Sequence, residues 1–135
     1  MIHHLEVATP GKGLHEITAK VQHVVATSGL GEGLCTVMVL HTSASLTIQE
    51  NADPSACRDL EGWFERAVPE DDPHFTHTAE GSDDMPSHIR AALTSTTLSI
   101  PFQEGQLTLG TWQGIYLWEH RRRGSTRRLV LHLGR

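Results

Sequence analysis

LCTVMVL, residues Leu34 to Leu40, is a nearly unbroken apolar run rich in β-branched side chains. It is too short for a helix of ordinary length, so it reads as a central strand buried on both faces. It delivers His41 at its C-terminal end, followed by Thr42-Ser43-Ala44-Ser45 and a second strand-like piece, Leu46 to Glu50. A histidine at the end of a buried strand is held firmly, as a metal ligand or general base must be; by itself it reads equally as a locally bonded side chain. The neighbouring hydroxyls lack the G-x-S-x-G elbow of a serine nucleophile.

Upstream, Ile2 to Val7 reads as a strand closed by the turn-forming Pro10-Gly11-Lys12-Gly13. Leu14, Ile17, Val21, Val24 and Val25 then recur at spacings of three and four, the mark of an amphipathic helix that stops near Ser28-Gly29. Downstream, Asp53 and Pro54 are a good N-cap and first helical residue. The stripe Leu60, Trp63, Phe64, Ala67 and Val68 predicts a helix facing a core, with Pro69 as its stop. Residues 70–83 are acidic and poor in apolar side chains, a long loop of the kind that is functional or disordered. Ser87 to Leu93 predicts a short helix after Pro86, with His88 on its first turn. Thr96 to Phe102, Gln106 to Leu109, Ile115 to His120 and Leu129 to Leu133 read as strands, Pro101 marking an edge or a strand end.

About seven strands and three helices result, with short hairpin-like links late in the chain. This is not the βαβα alternation of a doubly wound sheet. It predicts an α+β fold of packed, mostly antiparallel sheets, a single compact domain over residues 1–135. No run approaches the roughly 18 apolar residues of a membrane span. No basic-then-apolar leader opens the chain, and Cys35 and Cys57 form no C-x-x-C pair and read as reduced. The expected location is the cytoplasm. The formal net charge of −5 argues against general nucleic-acid affinity.

Chemistry concentrates in His77 to His88, HTAEGSDDMPSH, which places two histidines beside Glu80, Asp83 and Asp84. Imidazoles and carboxylates are the ligands that divalent cations accept, and a loop leading into a helix can bring them to one point. The same residues would also serve as an acidic solvated loop. Gly110-Thr111-Trp112-Gln113-Gly114 puts an aromatic and an amide between glycines, suited to stacking on and hydrogen-bonding a planar ring, or to a bulged strand. Arg121, Arg122, Arg123, Arg127 and Arg128 form an arginine-rich hairpin link beside His120. Arginine is the residue for bidentate phosphate recognition.

The stretches HTSASLTIQENADPSACRDLEGWFERAVPEDD, HTAEGSDDMPSHIRAAL and GQLTLGTWQGIYLWEHRRRG closely resemble the YjbQ family, whose members are described as secondary thiamine-phosphate synthases. The likeness runs from about Leu34 to the C-terminus. It implies a small α+β protein assembling as a homotrimer, with a histidine-built metal pocket at or near the subunit contact. The matching positions are His41, His77 and His88 as metal ligands, with Glu80, Glu50 and Asp53 also matching. Glu80, Glu50 and Arg121 are then the candidate catalytic groups. Trp112, Gln113, Arg127 and Ser43 are the candidate substrate contacts.

The reaction so implied joins hydroxymethylpyrimidine diphosphate to thiazole phosphate with loss of diphosphate. An anionic leaving group needs positive charge placed in advance, here from a divalent ion, zinc or magnesium, and from Arg121 and Arg127. Glu80 would orient a ligand or exchange protons, and Trp112 would stack on the pyrimidine. The same ligands with an activated water would hydrolyse a phosphate ester. A trimeric metal- or ligand-binding protein without catalysis is the third reading. The expected partner is a small molecule, a phosphorylated heterocycle, with neither nucleic acid nor membrane. Because imidazoles bind metal only when neutral, metal loss is expected as pH falls below about 6.

Overall fold

The computed structural model describes residues Met1–Arg135 throughout. Eight strands and three helices follow in the order β1 (Ile2–Ala8), β2 (Gly11–Glu16), α1 (Thr18–Thr27), β3 (Gly33–Val39), β4 (Ala44–Glu50), α2 (Pro54–Ala67), α3 (Asp84–Leu93), β5 (Thr97–Gln103), β6 (Gln106–Leu107), β7 (Gln113–Arg123) and β8 (Thr126–Gly134). A five-stranded sheet, β1-β8-β3-β5-β6, packs on a three-stranded sheet, β2-β7-β4, and every pairing is antiparallel. The α+β reading with antiparallel sheets holds.

The core lies between the sheets. Val37, Val39, Leu129 and Leu131 from the larger sheet meet Leu46, Ile115 and Leu117 from the smaller, with Val21, Val24 and Val25 of α1 in the same cluster. β3 is central, as expected, but only one of its faces is buried. Cys35, Val37 and Val39 point inward, while Leu34 and Met38 remain 43% and 41% exposed. No layer covers the outer face of the larger sheet, so an apolar run does not here mean burial on both sides.

The expected helix from Leu14 is instead a strand and then a helix. Gly11–Glu16 pairs with β7 through a register shift between Gly11 and Gly13. Gly13 adopts φ 136°, and a Cβ there would meet Glu61 Oε2 at 2.4 Å, so glycine is needed both for the bend and for the approach of Glu61. That carboxylate accepts the Leu14 N–H at 3.0 Å. The three-and-four spacing of Leu14 and Ile17 therefore straddles two elements.

α2 begins as read: Asp53 accepts the Ser55 N–H at 2.9 Å, and Pro54 is the first helical residue. Its apolar stripe does not reach the inter-sheet core. The helix lies on the outer face of the smaller sheet, where Phe64 meets Trp118 edge-on at 4.6 Å between ring centroids and Trp63 is left 55% exposed.

α3 begins three residues before the predicted start. Its first i→i−4 bond runs from the Ser87 N–H to the Asp83 carbonyl, which leaves Pro86 in the first turn, where a missing N–H costs nothing. The earlier start puts Asp84 and His88 four residues apart on one helical face.

Candidate metal centre

Four elements converge at one end of the sandwich: the loop before α3, the first two turns of α3, the β3–β4 link and the last residues of β7. His77 Nε2 lies 2.7 Å from Asp84 Oδ2, and His88 Nε2 lies 3.1 Å from the same oxygen. The ligand atoms of His77, Asp84 and His88 all lie within 4.8 Å of one another. Asp84 is almost fully buried, while His77 and His88 face solvent in part.

The protons on His88 follow from its partners. Nδ1 lies 3.0 Å from the Thr42 carbonyl oxygen, which can only accept, so Nδ1 carries the hydrogen. A neutral His88 therefore presents a bare lone pair at Nε2, and that lone pair faces a carboxylate oxygen at 3.1 Å. Two acceptors so placed repel unless a cation lies between them, either a proton or a metal ion. An imidazole that donates its second nitrogen to a backbone carbonyl is the usual outer arrangement of a metal-ligating histidine.

Asp84 is itself held. Arg121 Nη1 bonds its Oδ1, Arg121 Nε bonds Asp83 Oδ2 at 3.1 Å, and Arg121 Nη2 bonds the Glu80 carbonyl at 2.9 Å. Burial pushes the Asp84 carboxyl up, but the bond from His77, and then His88 and Arg121, outweigh burial and hold it below the ordinary aspartate range. The carboxylate is thus kept charged and oriented.

The other histidine in the group, His41, is bound differently. Its Nδ1 accepts the Ser43 backbone N–H at 3.0 Å and lies 2.9 Å from Ser43 Oγ. Ser43 Oγ accepts from Arg127 Nη2 at 3.1 Å. Arg127 in turn donates through Nε and Nη2 to Glu119, whose Oε1 also accepts the Thr9 hydroxyl at 2.7 Å. Arg127 and Glu119 are 4% and 0% exposed. Two hollows share His41 as lining: one of about 330 Å³ with His88, the other of about 280 Å³ with Arg121, Arg123 and Arg127 and no carboxylate.

The sequence-predicted residues therefore divide. His77 and His88 meet at Asp84; His41, Ser43, Arg121 and Arg127 stand around them. Glu80 contributes its carbonyl to Arg121, its side chain being exposed. Glu50, Trp112 and Gln113 are not brought to this end. Glu50 pairs with Gln113 at the far end of β4, six residues from Ala44, roughly 20 Å along a strand. Gln113 Oε1 accepts the Gly110 N–H at 2.7 Å within its own turn, and Trp112 is 64% exposed.

Asp84 stands in the sequence among the acidic residues beside the two histidines but is left out of the His41, His77 and His88 set that the resemblance implies; the structure groups it with His77 and His88. Its signal is the Asp84-x-x-x-His88 spacing, which a helix starting at Ser87 hides. Arg123 enters the sequence reading only as part of the basic run, yet its guanidinium has no partner within the chain, whereas Arg121 and Arg127 are bonded to carboxylates.

The family model described as UPF0047 protein YjbQ-like matches residues 3–135. The chain is 55% identical over 129 residues to the UPF0047 protein sll1880 of Synechocystis, covering 96% of this chain and 88% of that protein. It is 41% identical over 130 residues to the UPF0047 protein YjbQ of Escherichia coli O157:H7, covering 96% and 94%. A conserved hypothetical protein of Thermus thermophilus superposes with a TM-score of 0.87 at 34% identity, over 98% of this chain and 99% of that one. Sequence, fold and coverage agree: the chain belongs to the YjbQ-like UPF0047 family.

Proposed function

We propose that the protein is a metal-dependent enzyme acting on a phosphorylated small molecule, and that its reaction is of the thiamine-phosphate synthase type. The observation that carries the metal is the pair of acceptors, His88 Nε2 and Asp84 Oδ2, at 3.1 Å with His77 Nε2 on the same oxygen. His77, Asp84 and His88 would hold the ion, and two imidazoles with one carboxylate suit zinc better than magnesium, which prefers oxygen ligands throughout. When bound, such an ion supplies Lewis-acid stabilisation of a departing diphosphate oxygen.

The chain's own residues support an anionic substrate. The hollow beside the cluster is lined by three guanidiniums and no carboxylate, and Arg123 is free to take phosphate oxygens. Arg121 works indirectly, by fixing Asp84. Glu80, whose carbonyl accepts from Arg121 and whose side chain is exposed, would exchange a proton with a bound substrate. Assembly as a homotrimer and action in the cytoplasm complete the proposal. The apolar side chains Ile2, Leu34, Met38 and Leu40 on the outer face of the larger sheet are what a subunit contact would cover. No helix of the chain is long and apolar enough to cross a membrane.

The test is an assay for diphosphate release from hydroxymethylpyrimidine diphosphate with thiazole phosphate, run on metal-stripped and zinc-restored protein beside a panel of phosphate esters. Zinc-dependent coupling is expected. Undiminished coupling after stripping removes the metal's role, and zinc-dependent hydrolysis of the esters without coupling replaces the transferase by a hydrolase.

A further inference from the structure

His41 and His88, which line one hollow together, are held in opposite tautomers. In His88 the Nδ1 hydrogen goes to the Thr42 carbonyl, which bares Nε2. In His41 the Nδ1 must be bare, because a backbone N–H, that of Ser43, donates to it. The rest of the chain of bonds runs the same way. A guanidinium can only donate, so Arg127 donates to Ser43 Oγ, and the serine's own hydrogen is left to point at His41 Nδ1 at 2.9 Å. The buried Glu119 fixes Arg127 from behind. A neutral His41 therefore carries its hydrogen on Nε2, at the ring edge away from Ser43.

Protonating His41 would place a second hydrogen on Nδ1, against the Ser43 N–H. Desolvation, and then the Arg127 guanidinium, also hold the His41 imidazole below its ordinary value. A nitrogen that keeps its hydrogen offers no lone pair to a cation. It does offer a hydrogen bond to an acceptor, and of the two hollows that His41 lines, the one with Arg121, Arg123 and Arg127 is where an anionic acceptor would collect.

We propose that His41 is an N–H donor that receives an oxyanion, a phosphate group, in the arginine-lined hollow through Nε2, oriented by the Glu119–Arg127–Ser43 chain, and that it is not a metal ligand. The proposal rests on the reading above only in taking that phosphate to belong to the substrate. His41 would bind the anion beside Arg123 and next to the His77–Asp84–His88 cluster.

The experiment uses metal-free full-length protein, inorganic phosphate as the probe, and long-range proton–nitrogen spectra of the histidine rings. Expected are a bare Nδ1 and a protonated Nε2 on His41 at neutral pH, and a shift of the Nε2–H signal on adding phosphate. His41→Gln, whose amide N–H reaches the position of Nε2, should keep phosphate affinity within about threefold, whereas His41→Leu should lose about tenfold, the size of one good hydrogen bond. A hydrogen on Nδ1, loss of the Nε2 hydrogen when zinc is added, absence of any phosphate effect, or His41→Gln as weak as His41→Leu would each overturn the proposal. Failure of zinc to bind with the His41 results intact would instead sink the metal reading and leave the anion site standing.

Discussion

His88 Nε2 faces Asp84 Oδ2 at 3.1 Å with its other nitrogen committed to the Thr42 carbonyl. A lone pair set against a carboxylate is the arrangement a cation completes. His77 Nε2, at 2.7 Å from the same oxygen, provides the second imidazole.

Asp84→Asn should leave the chain folded, since Arg121 keeps its bond to Asp83, yet weaken zinc binding severely. The loss should exceed the roughly 10–100-fold typical of removing an outer-shell partner. Competition with a chromophoric chelator measures it. Unchanged affinity would mean the aspartate is only a hydrogen-bond acceptor.

Arg121→Gln should lower zinc affinity by about tenfold, because Asp84 loses the guanidinium that orients it and keeps it charged. The same chelator competition reads this change. Glu50→Gln is the contrasting control, and zinc affinity should not move, as that carboxylate lies at the opposite end of β4.

Glu119→Ala should destabilise the fold by about 3–5 kcal/mol, because Arg127 would remain buried with its charge uncompensated. Burial alone would raise the Glu119 carboxyl, but the bonds from Arg127, Thr9 and the Arg121 N–H outweigh it and hold it below its ordinary value. A carboxyl lowered by folding stabilises above its unfolded pKa, and that stability disappears as pH falls through the lowered folded value. Urea unfolding of wild type and variant at neutral and acid pH measures both effects, and the gap between them should narrow in acid.

His120 gives a second acid window. Burial, followed by the Arg90 guanidinium, pushes its pKa down to about 3, and its Nε2 is bonded to Ser45 Oγ at 2.8 Å. The unfolded chain binds this proton from about pH 6.5 downward and the folded chain does not. Stability should therefore decline as pH falls from about 6.5 toward 3, with His120 contributing at most about 1.4 kcal/mol per pH unit. His120→Gln, compared with wild type by urea unfolding across that range, should show a shallower decline, and an identical slope would count against the burial argument.

Much of the architecture was legible because apolar runs mark β3 and β7, alternation survives in β5 and β8, and the helix period survives in α2. The miss at Gly11–Glu16 came from a strand made of glycines and half-buried polar residues, which carries no alternation to read. The outer face of β3 could not be read either, because an apolar side chain looks the same whether or not a layer covers it. At the site, His77 and His88 stood out by residue type, whereas Asp84 depended on where α3 begins, and Pro86 pointed to the wrong start. The separation of Glu50, Trp112 and Gln113 from the histidines depends on strand register, which local pattern does not encode. The difference between His41 and His88 is set by one backbone N–H and one carbonyl from neighbouring residues of the same link, a tertiary detail invisible in sequence.

Anomalous diffraction at the zinc edge, from crystals grown with zinc, tests the central claim most directly. The expected result is one peak per chain within bonding distance of His77 Nε2, His88 Nε2 and an Asp84 oxygen, with the His41 ring outside the coordination sphere. An empty density between those three side chains at saturating zinc, or a peak bonded to His41, would contradict it.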